Sequence, residues 1–172
     1  FCSLLDTPEA GIFQLAPDLP DARREQIYLP DTNVLQTRWL SERAVVEITD
    51  LLPVADNADD LPLLMRRVRV VSGEATFHVR CAVRHDYARA DTRARMDQQA
   101  VVFRADGQPS MRLTSDQPLH IEAEAAVASF TLKQDQTAAF LLGGEDDPRF
   151  EEGAAQLCME RTLKFWRDWL GQ

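Results

Sequence analysis

Most of the chain alternates apolar and polar residues with a period of two. In the stretch ATFHVRCAVR the apolar side chains share one face, at Phe77, Val79, Cys81 and Val83. Polar and basic residues occupy most of the positions between them. This alternation is typical of a β-strand that buries one face and exposes the other. The pattern therefore predicts a half-buried strand at this place in the chain.

Similar stretches recur at the intervals of about 8 to 12 residues that mark an antiparallel sandwich or barrel. Polar segments separate them, and Ser41–Arg43 and Ser72–Glu74 predict two hairpin turns, the second with Gly73 at positive φ. No helical pattern alternates with the strands, as a parallel sheet would require. The sequence predicts an all-β fold, an antiparallel β-sandwich over residues 1–146.

The period changes near the C-terminus. Between Asp147 and Leu170 a stripe of residues follows the helical spacing i, i+4, i+7, i+8, i+11, i+12. Its members are Cys158, Thr162, Phe165, Trp166, Trp169 and Leu170. Pro148 and the acidic residues around it suit the first turn of a helix. We expect one C-terminal helix within residues 147–172, and its aromatic side chains must pack against a second surface.

The composition limits the partners and the surroundings of the chain. Its 172 residues are enough for one domain with a sizeable core, and the formal net charge of −9 argues against a nucleic-acid partner. No apolar run reaches the roughly 18 to 20 residues of a membrane helix, so no membrane partner is expected. Cys2, Cys81 and Cys158 lack a CxxC spacing. They predict a reduced, cytoplasmic protein.

Residues with a recognisable chemical role are sparse. A glycosidase needs two carboxyl groups across one bond, and a nucleophilic hydrolase needs Ser or Cys beside His. Acidic residues are frequent, but no pair stands out, and no GxSxG or glycine-rich phosphate loop is present. The loop with Asp56, Asp59 and Asp60 lacks the glycine and the distal glutamate of a calcium loop. The sequence predicts no catalytic residue, no cofactor and no metal site in this chain.

Two aspartates near prolines raise a choice between catalysis and structure. Asp50 follows the run VEIT and precedes Leu51-Leu52-Pro53, and Asp31 follows Pro30. An aspartate at the end of a strand is either a catalytic carboxylate or a residue that bonds backbone N–H groups of the exit turn. The second interpretation is favoured. We expect Asp31 and Asp50 to hold turns at strand boundaries.

Five segments, in order along the chain, carry a family resemblance. They are FCSLLDTPEAGIFQLAP, YLPDTNVLQT, VEITDLLP, LMRRVRVVSGEATFHVRCAVRHDYARA and TLKFWRDWL. The chain resembles the amino-terminal domain of glycoside hydrolase family 15, the bacterial and archaeal glucoamylase, glucodextranase and trehalase-like proteins. The resemblance implies a β-sandwich of the super-sandwich type, a linker helix, and then an α/α-toroid domain with the catalytic glutamates. The chain departs from the family pattern at Ala88, where a glycine is usual.

Two classes of function stay open. The resemblance implies a non-catalytic domain of an α-glucoside hydrolase, which buttresses the catalytic toroid and lends a loop to the rim of its active site. The alternative is an independent carbohydrate-binding module, with Trp39 and Tyr28 as aromatic platforms. The expected partners are the toroid of the same polypeptide and a second copy of the chain, as a homodimer. Both would meet the helix face formed by Phe165, Trp166, Trp169 and Leu170.

Overall fold

The computed structural model describes residues 11–55, 62–150 and 154–171. Within these ranges eleven antiparallel strands and one C-terminal α-helix confirm the predicted all-β sandwich. The strands are β1 (Ile12–Pro17), β2 (Arg23–Tyr28), β3 (Leu35–Leu40), β4 (Ala44–Leu51), β5 (Leu64–Ala82), β6 (Arg93–Asp97), β7 (Ala100–Arg104), β8 (Met111–Ser115), β9 (His120–Glu122), β10 (Ala125–Lys133) and β11 (Thr137–Gly144), and the helix is α1 (Ala154–Leu170). No helix of the described ranges is long and apolar enough to span a membrane.

Strand β5 belongs to both layers of the sandwich. Its first half pairs with β4 on one side and β11 on the other, in a sheet of order β2-β3-β4-β5-β11-β8-β7-β6. Its second half pairs with β1 and β10, and β9 adds to β10. With 19 residues, β5 is long enough to leave the larger sheet and enter the smaller one. One continuous strand therefore joins the two layers.

The predicted hairpin turn at Ser72–Glu74 is wrong, because these residues lie inside β5. Gly73 does adopt the predicted positive φ, at 77°. A Cβ on Gly73 would lie 2.0 Å from the backbone oxygen of Arg43, and the register with β4 shifts between Val45 and Val46. Strands that change sheets bend at such irregularities. Gly73 thus marks the place where β5 passes from one sheet to the other.

Two glycines allow the importance of this close approach to be measured. Gly73→Ala adds a Cβ to a residue with a left-handed φ, and that Cβ clashes with the backbone oxygen of Arg43. We therefore expect the substitution to lower the free energy of unfolding by at least about 2 kcal/mol. Gly107 also has a positive φ, at 69°, but nothing lies within 4 Å of an added Cβ. Gly107→Ala is therefore the matched control and should cost only about 1 kcal/mol. Urea unfolding measures both values, and equal losses would show that the contact does not constrain the fold.

The main core lies between the two layers. The bulkiest side chains buried there are Phe77, Phe103 and Phe140, each 0% exposed. The inward face predicted for the second half of β5 is confirmed, because Val79 and Cys81 are buried beside Phe77. Burial raises the pKa of Cys81 to about 12 in spite of the opposing charge of Arg66. This thiol is therefore held in its unreactive protonated form.

Helix α1 packs on the outer face of the larger sheet and not between the layers. It completes a second apolar cluster formed by Val34, Leu51, Leu63, Met65, Leu141 and Cys158. Thr162 is 0% exposed, and the backbone N–H of Val54 donates to its Oγ1 at 3.2 Å. Two positions of the predicted stripe, Cys158 and Thr162, therefore face the sheet.

A buried ion pair precedes the helix. The Arg149 guanidinium bonds the Asp147 carboxylate at 2.8 and 2.6 Å, and the Arg149 backbone N–H adds a bond at 2.9 Å. The two side chains are only 8% and 5% exposed. Burial alone would raise the pKa of Asp147, but these bonds and the arginine charge hold the pKa below its ordinary value. The pair stabilises the short turn Pro148–Phe150 that leads toward the helix.

The lowered pKa of Asp147 predicts an acid-sensitive fold. A native pKa below the unfolded value gives stabilisation that is present above about pH 4 and is lost as the pH falls through the native pKa. In Asp147→Asn this part of the pH dependence should disappear. Stability at neutral pH should also fall, because the buried guanidinium of Arg149 loses the charged acceptor of these hydrogen bonds.

Urea unfolding of parent and variant at about pH 7, 4 and 3 measures this effect. Asp168→Asn, which alters an exposed ion pair with Lys164, is the control for a surface carboxylate. If Asp147→Asn loses stability below pH 4 as steeply as the parent, other carboxylates set the acid sensitivity.

Candidate functional site

A groove with a volume of about 810 Å³ lies on the outer face of the larger sheet, beside α1. Its floor comes from outward positions of β5, β11 and β8, where the register places Arg67 opposite Ala139. Phe150 and Gln156 line it from the side of the helix, and Gln98 lines it from the turn between β6 and β7. The sheet and the docked helix together therefore form this groove.

Charged side chains of both signs line the groove. The Asp116 carboxylate accepts the backbone N–H of Ala139 at 3.1 and 3.2 Å. Partial burial raises the pKa of Asp116 above its ordinary value, against the effect of that bond and of the Arg67 charge. Arg112 pairs with Asp97 at 2.7 Å. The lining thus holds two guanidinium groups and one carboxylate, and one of the guanidinium groups is paired with a carboxylate outside the groove.

Carboxyl groups are scarce among the described residues that line the groove. Among the described residues that line the groove, Asp116 is the single carboxylate, and its oxygen atoms already accept a backbone N–H. Glycoside hydrolysis takes two carboxyl groups on either side of one bond. The described ranges hold no group of three His, Cys, Asp or Glu side chains suited to a metal ion. The loop residues Asp56, Asp59 and Asp60 lie outside those ranges.

Asp50 lies within β4, one residue before the strand ends at Leu51. Its carboxylate accepts two bonds from the Arg66 guanidinium, at 2.9 and 3.0 Å, directly across the strand pair. Arg66 also donates to the backbone oxygen of Phe13 and lies 5.1 Å over its ring. The carboxylate links β4 to β5, and the arginine extends the link to β1. The structure therefore gives Asp50 an ion pair where the sequence predicts a turn.

Asp31 occupies the turn between β2 and β3 with a φ of 58°, a conformation that aspartate tolerates. The side-chain bonds of this turn come from its neighbour. Thr32 Oγ1 donates to the Leu29 carbonyl at 2.9 Å and accepts the Val34 N–H at 3.1 Å. Threonine hydroxyls commonly close turns in this way. Thr32, two residues after Pro30, is the sequence signal for this turn.

The turn after β5 holds consecutive residues in the left-handed region, with φ of 48°, 55° and 66° at Asp86, Tyr87 and Ala88. The buried His85 ring anchors the turn through Thr92 Oγ1 at 3.0 Å and the Pro109 carbonyl at 2.9 Å. Because a carbonyl only accepts, Nε2 donates its N–H to the Pro109 carbonyl. Left-handed residues cost roughly 1–2 kcal/mol each and persist where the surroundings hold them. The strained turn presents Tyr87, which is 77% exposed.

Glycine in place of Ala88 should relieve part of this strain. Glycine lacks the Cβ that makes a φ of 66° unfavourable. We therefore expect Ala88→Gly to raise the free energy of unfolding by about 1 kcal/mol. Ala90→Gly, just beyond the left-handed run, is the control and should lower it by a few tenths. Thermal unfolding compares the two variants, and a loss of stability in both would mean that Ala88 is not strained.

The aromatic face of α1, formed by Phe165, Trp166, Trp169 and Leu170, continues the stripe of Cys158 and Thr162 along the same side of the helix but is largely exposed. Phe165, Trp169 and Leu170 are 44%, 58% and 53% exposed, whereas Trp166 is half-buried. The rings of Phe165 and Trp169 each meet Trp166 edge-on, at centroid distances of 5.4 and 5.7 Å. Trp166 Nε1 is buried and finds no hydrogen-bond partner within the described ranges. The aromatic face is thus an apolar surface packed against itself.

The candidate sugar platforms differ in access. Trp39 is half-buried against the main core, and the Arg24 guanidinium lies 5.8 Å over its ring. Tyr28 is 66% exposed at the end of β2. A stacking platform requires an open ring face, so Tyr28 alone of the two offers one.

These features define a class of protein: an antiparallel β-sandwich domain whose larger sheet carries a docked helix with an exposed aromatic face. Comparison with known proteins then gives the family. The family described as trehalase-like, N-terminal matches residues 1–164, and the chain belongs to it.

Two curated relatives bear the name trehalase. The chain is 26% identical over 199 aligned residues to the trehalase of Mycobacterium tuberculosis (strain ATCC 25618 / H37Rv), with 99% of the chain covered. It is 28% identical over 199 aligned residues to the trehalase of Mycolicibacterium smegmatis (strain ATCC 700084 / mc(2)155), again with 99% covered. The chain spans 28% and 29% of the length of these relatives. It is therefore similar to less than a third of each.

Proposed function

We propose that the chain is the non-catalytic N-terminal domain of a trehalase-like α-glucoside hydrolase of glycoside hydrolase family 15. The family match over residues 1–164 and the similarity to two trehalases support this proposal. In it the chain buttresses an α/α-toroid catalytic domain of the same polypeptide and shapes the rim of its active site. That second domain supplies the pair of carboxyl groups that the reaction requires.

The observation that carries the proposal is the aromatic face of α1. Cys158 and Thr162, in the first half of the helix, are buried against its own sheet, while Phe165 and Trp169 on the same side of the second half stay 44% and 58% exposed. Exposed apolar patches of this kind mark interaction sites, and burying each large side chain is worth roughly 1.5–3 kcal/mol. The curated relatives are more than three times as long as this chain, so their additional length is enough for a covering domain. The catalytic toroid is the occupant that we propose.

The strained turn at Asp86–Ala88 supports the second part of the proposal. Backbone strain held in place by buried hydrogen bonds is common at functional sites. Here His85 fixes the turn from inside and Tyr87 is 77% exposed on its outer side. A rigid turn with an exposed phenol suits a loop that reaches toward the rim of a neighbouring active site.

Substitutions on the aromatic face test the proposal. In a polypeptide that contains this chain and the toroid, Phe165→Ala and Trp169→Ala should each lower stability by about 1 to 3 kcal/mol, because the interface loses buried area. Met96→Ala, at a side chain that is 45% exposed on β6, is the control and should change little. Calorimetric unfolding measures these effects. The chain alone should release no glucose from trehalose.

In the absence of the toroid, the same face should bind a second copy of the chain. Sedimentation of the chain alone should show concentration-dependent dimers that Trp169→Ala weakens, because an uncovered apolar face tends to self-associate. Full stability of the longer polypeptide in both helix variants would contradict the proposal. So would glucose release by the chain alone that survives repurification and is lost on replacing one of its acidic residues.

An independent carbohydrate-binding module is the second candidate. The 66% exposure of Tyr28 favours it, and the Arg24 guanidinium over the Trp39 ring weighs against it. Calorimetric binding of a malto-oligosaccharide that is lost in Tyr28→Ala, with the fold intact, would favour this second function.

A further inference from the structure

We propose that the groove beside α1 is a binding site for a neutral saccharide of one or two sugar units. The inference deepens the proposed function and rests on it for the kind of sugar, an α-glucoside. The groove lies on the outer face of the larger sheet, between that sheet and the start of α1. Its volume of about 810 Å³ falls within the range of about 300–1,000 Å³ found for small-molecule sites.

Hydrogen-bonding side chains converge on the groove from separate elements of the fold. They are Arg67 on β5, Gln98 after β6, Asp116 after β8, Thr137 on β11 and Gln156 on α1. A sugar hydroxyl is both a donor and an acceptor, so its site must supply both. Guanidinium supplies only donors, carboxylate only acceptors, and amide and hydroxyl groups supply each kind. This mixture matches a ligand that carries many hydroxyl groups.

Arg67 is the central donor. It stands at an outward position of β5, opposite Ala139, whose N–H the Asp116 carboxylate accepts. Its guanidinium makes a contact with Met159 Sδ at 3.9 Å, which is weak beside a bond to oxygen. A planar fork of N–H donors bonds neighbouring oxygen atoms in pairs, as vicinal hydroxyls present them.

The charge balance of the groove selects a neutral ligand. Arg67 and Arg112 line the groove with two positive charges and Asp116 with one negative charge, and Arg112 is already paired with Asp97 outside the lining. An anion such as phosphate would meet the negative Asp116 carboxylate in the groove lining. A cation would meet the arginines. Neither sign gains a net attraction across the groove.

Apolar surface completes the site. Phe150 is half-buried on the helix side, and Ala139 and Leu141 form part of the floor. The carbon-bound hydrogens of a sugar ring pack on such surface, while the hydroxyls point to the polar rim. The groove thus offers apolar contact and polar contact on the same ligand.

Binding of trehalose and maltose to the 172-residue chain tests the site by calorimetry and saturation-transfer NMR. We expect saturable binding with Kd on the order of 1 mM for at least one disaccharide, as suits an open polar groove. Arg67→Met keeps the aliphatic stem and should weaken binding at least about tenfold. Arg69→Met is the matched control, because Arg69 is the next outward arginine on β5 and pairs with Asp135 away from the groove. It should bind as the parent does, and circular dichroism checks both folds.

Three results would overturn the site: no saturation by either disaccharide up to about 20 mM, equal binding by Arg67→Met and the parent, or binding of phosphate in place of sugar. If sugar binding fails while the aromatic face still meets the toroid, the groove proposal alone is wrong. Sugar binding that depends on Arg67, in a chain whose aromatic face proves to have no partner, supports the groove and removes the buttressing role.

Discussion

The approach of Gly73 to the backbone oxygen of Arg43 sets how the two layers of the sandwich meet. Only a residue without a Cβ fits there, and its left-handed φ bends β5 out of the larger sheet. One strand, β5, therefore contributes side chains both to the main core and to the outer face of the larger sheet. The second half of β5 places Phe77 and Val79 inside, and the first half places Met65 and Arg67 outside. The main core, the helix dock and the groove are therefore held in one fixed relation.

The outer face of the larger sheet is divided among three environments along a single strand. The outward positions of β5 are Met65 under the helix, Arg67 in the groove and Arg69 in an exposed ion pair. The inward positions between them include Val68 and Arg66, of which the arginine is neutralised by Asp50. The middle of this sheet is thus covered on both faces. Antiparallel sheets more commonly bury one face and expose the other to solvent. The covering helix forms one side of the groove and carries the exposed aromatic face.

The sequence pattern predicts local features well and distant partners poorly. Alternation identifies the strands, the hairpin around Ser41–Arg43 and the inward face of β5, because each is a property of neighbouring residues. Gly73 is misread as a hairpin turn because positive φ serves turns and bulges alike, and the deciding contact is 30 residues away at Arg43. Asp50 looks like a turn residue because Arg66, its partner, lies 16 positions further on. The groove is invisible for the same reason: Asp116 and Thr137 meet Arg67 only through strand pairing.

Because both the sheet and α1 line the groove, ligand binding there is thermodynamically linked to the docking of the helix. Gln156 belongs to α1, whereas Arg67 and Thr137 belong to the sheet, so the complete groove exists only while the helix is docked. Any molecule held between those walls binds the docked state alone and stabilises it by mass action. The coupling is reciprocal. A partner that covered the aromatic face and held the helix on the sheet would raise the affinity of the groove for its ligand by the same factor by which that ligand raised the affinity for the partner.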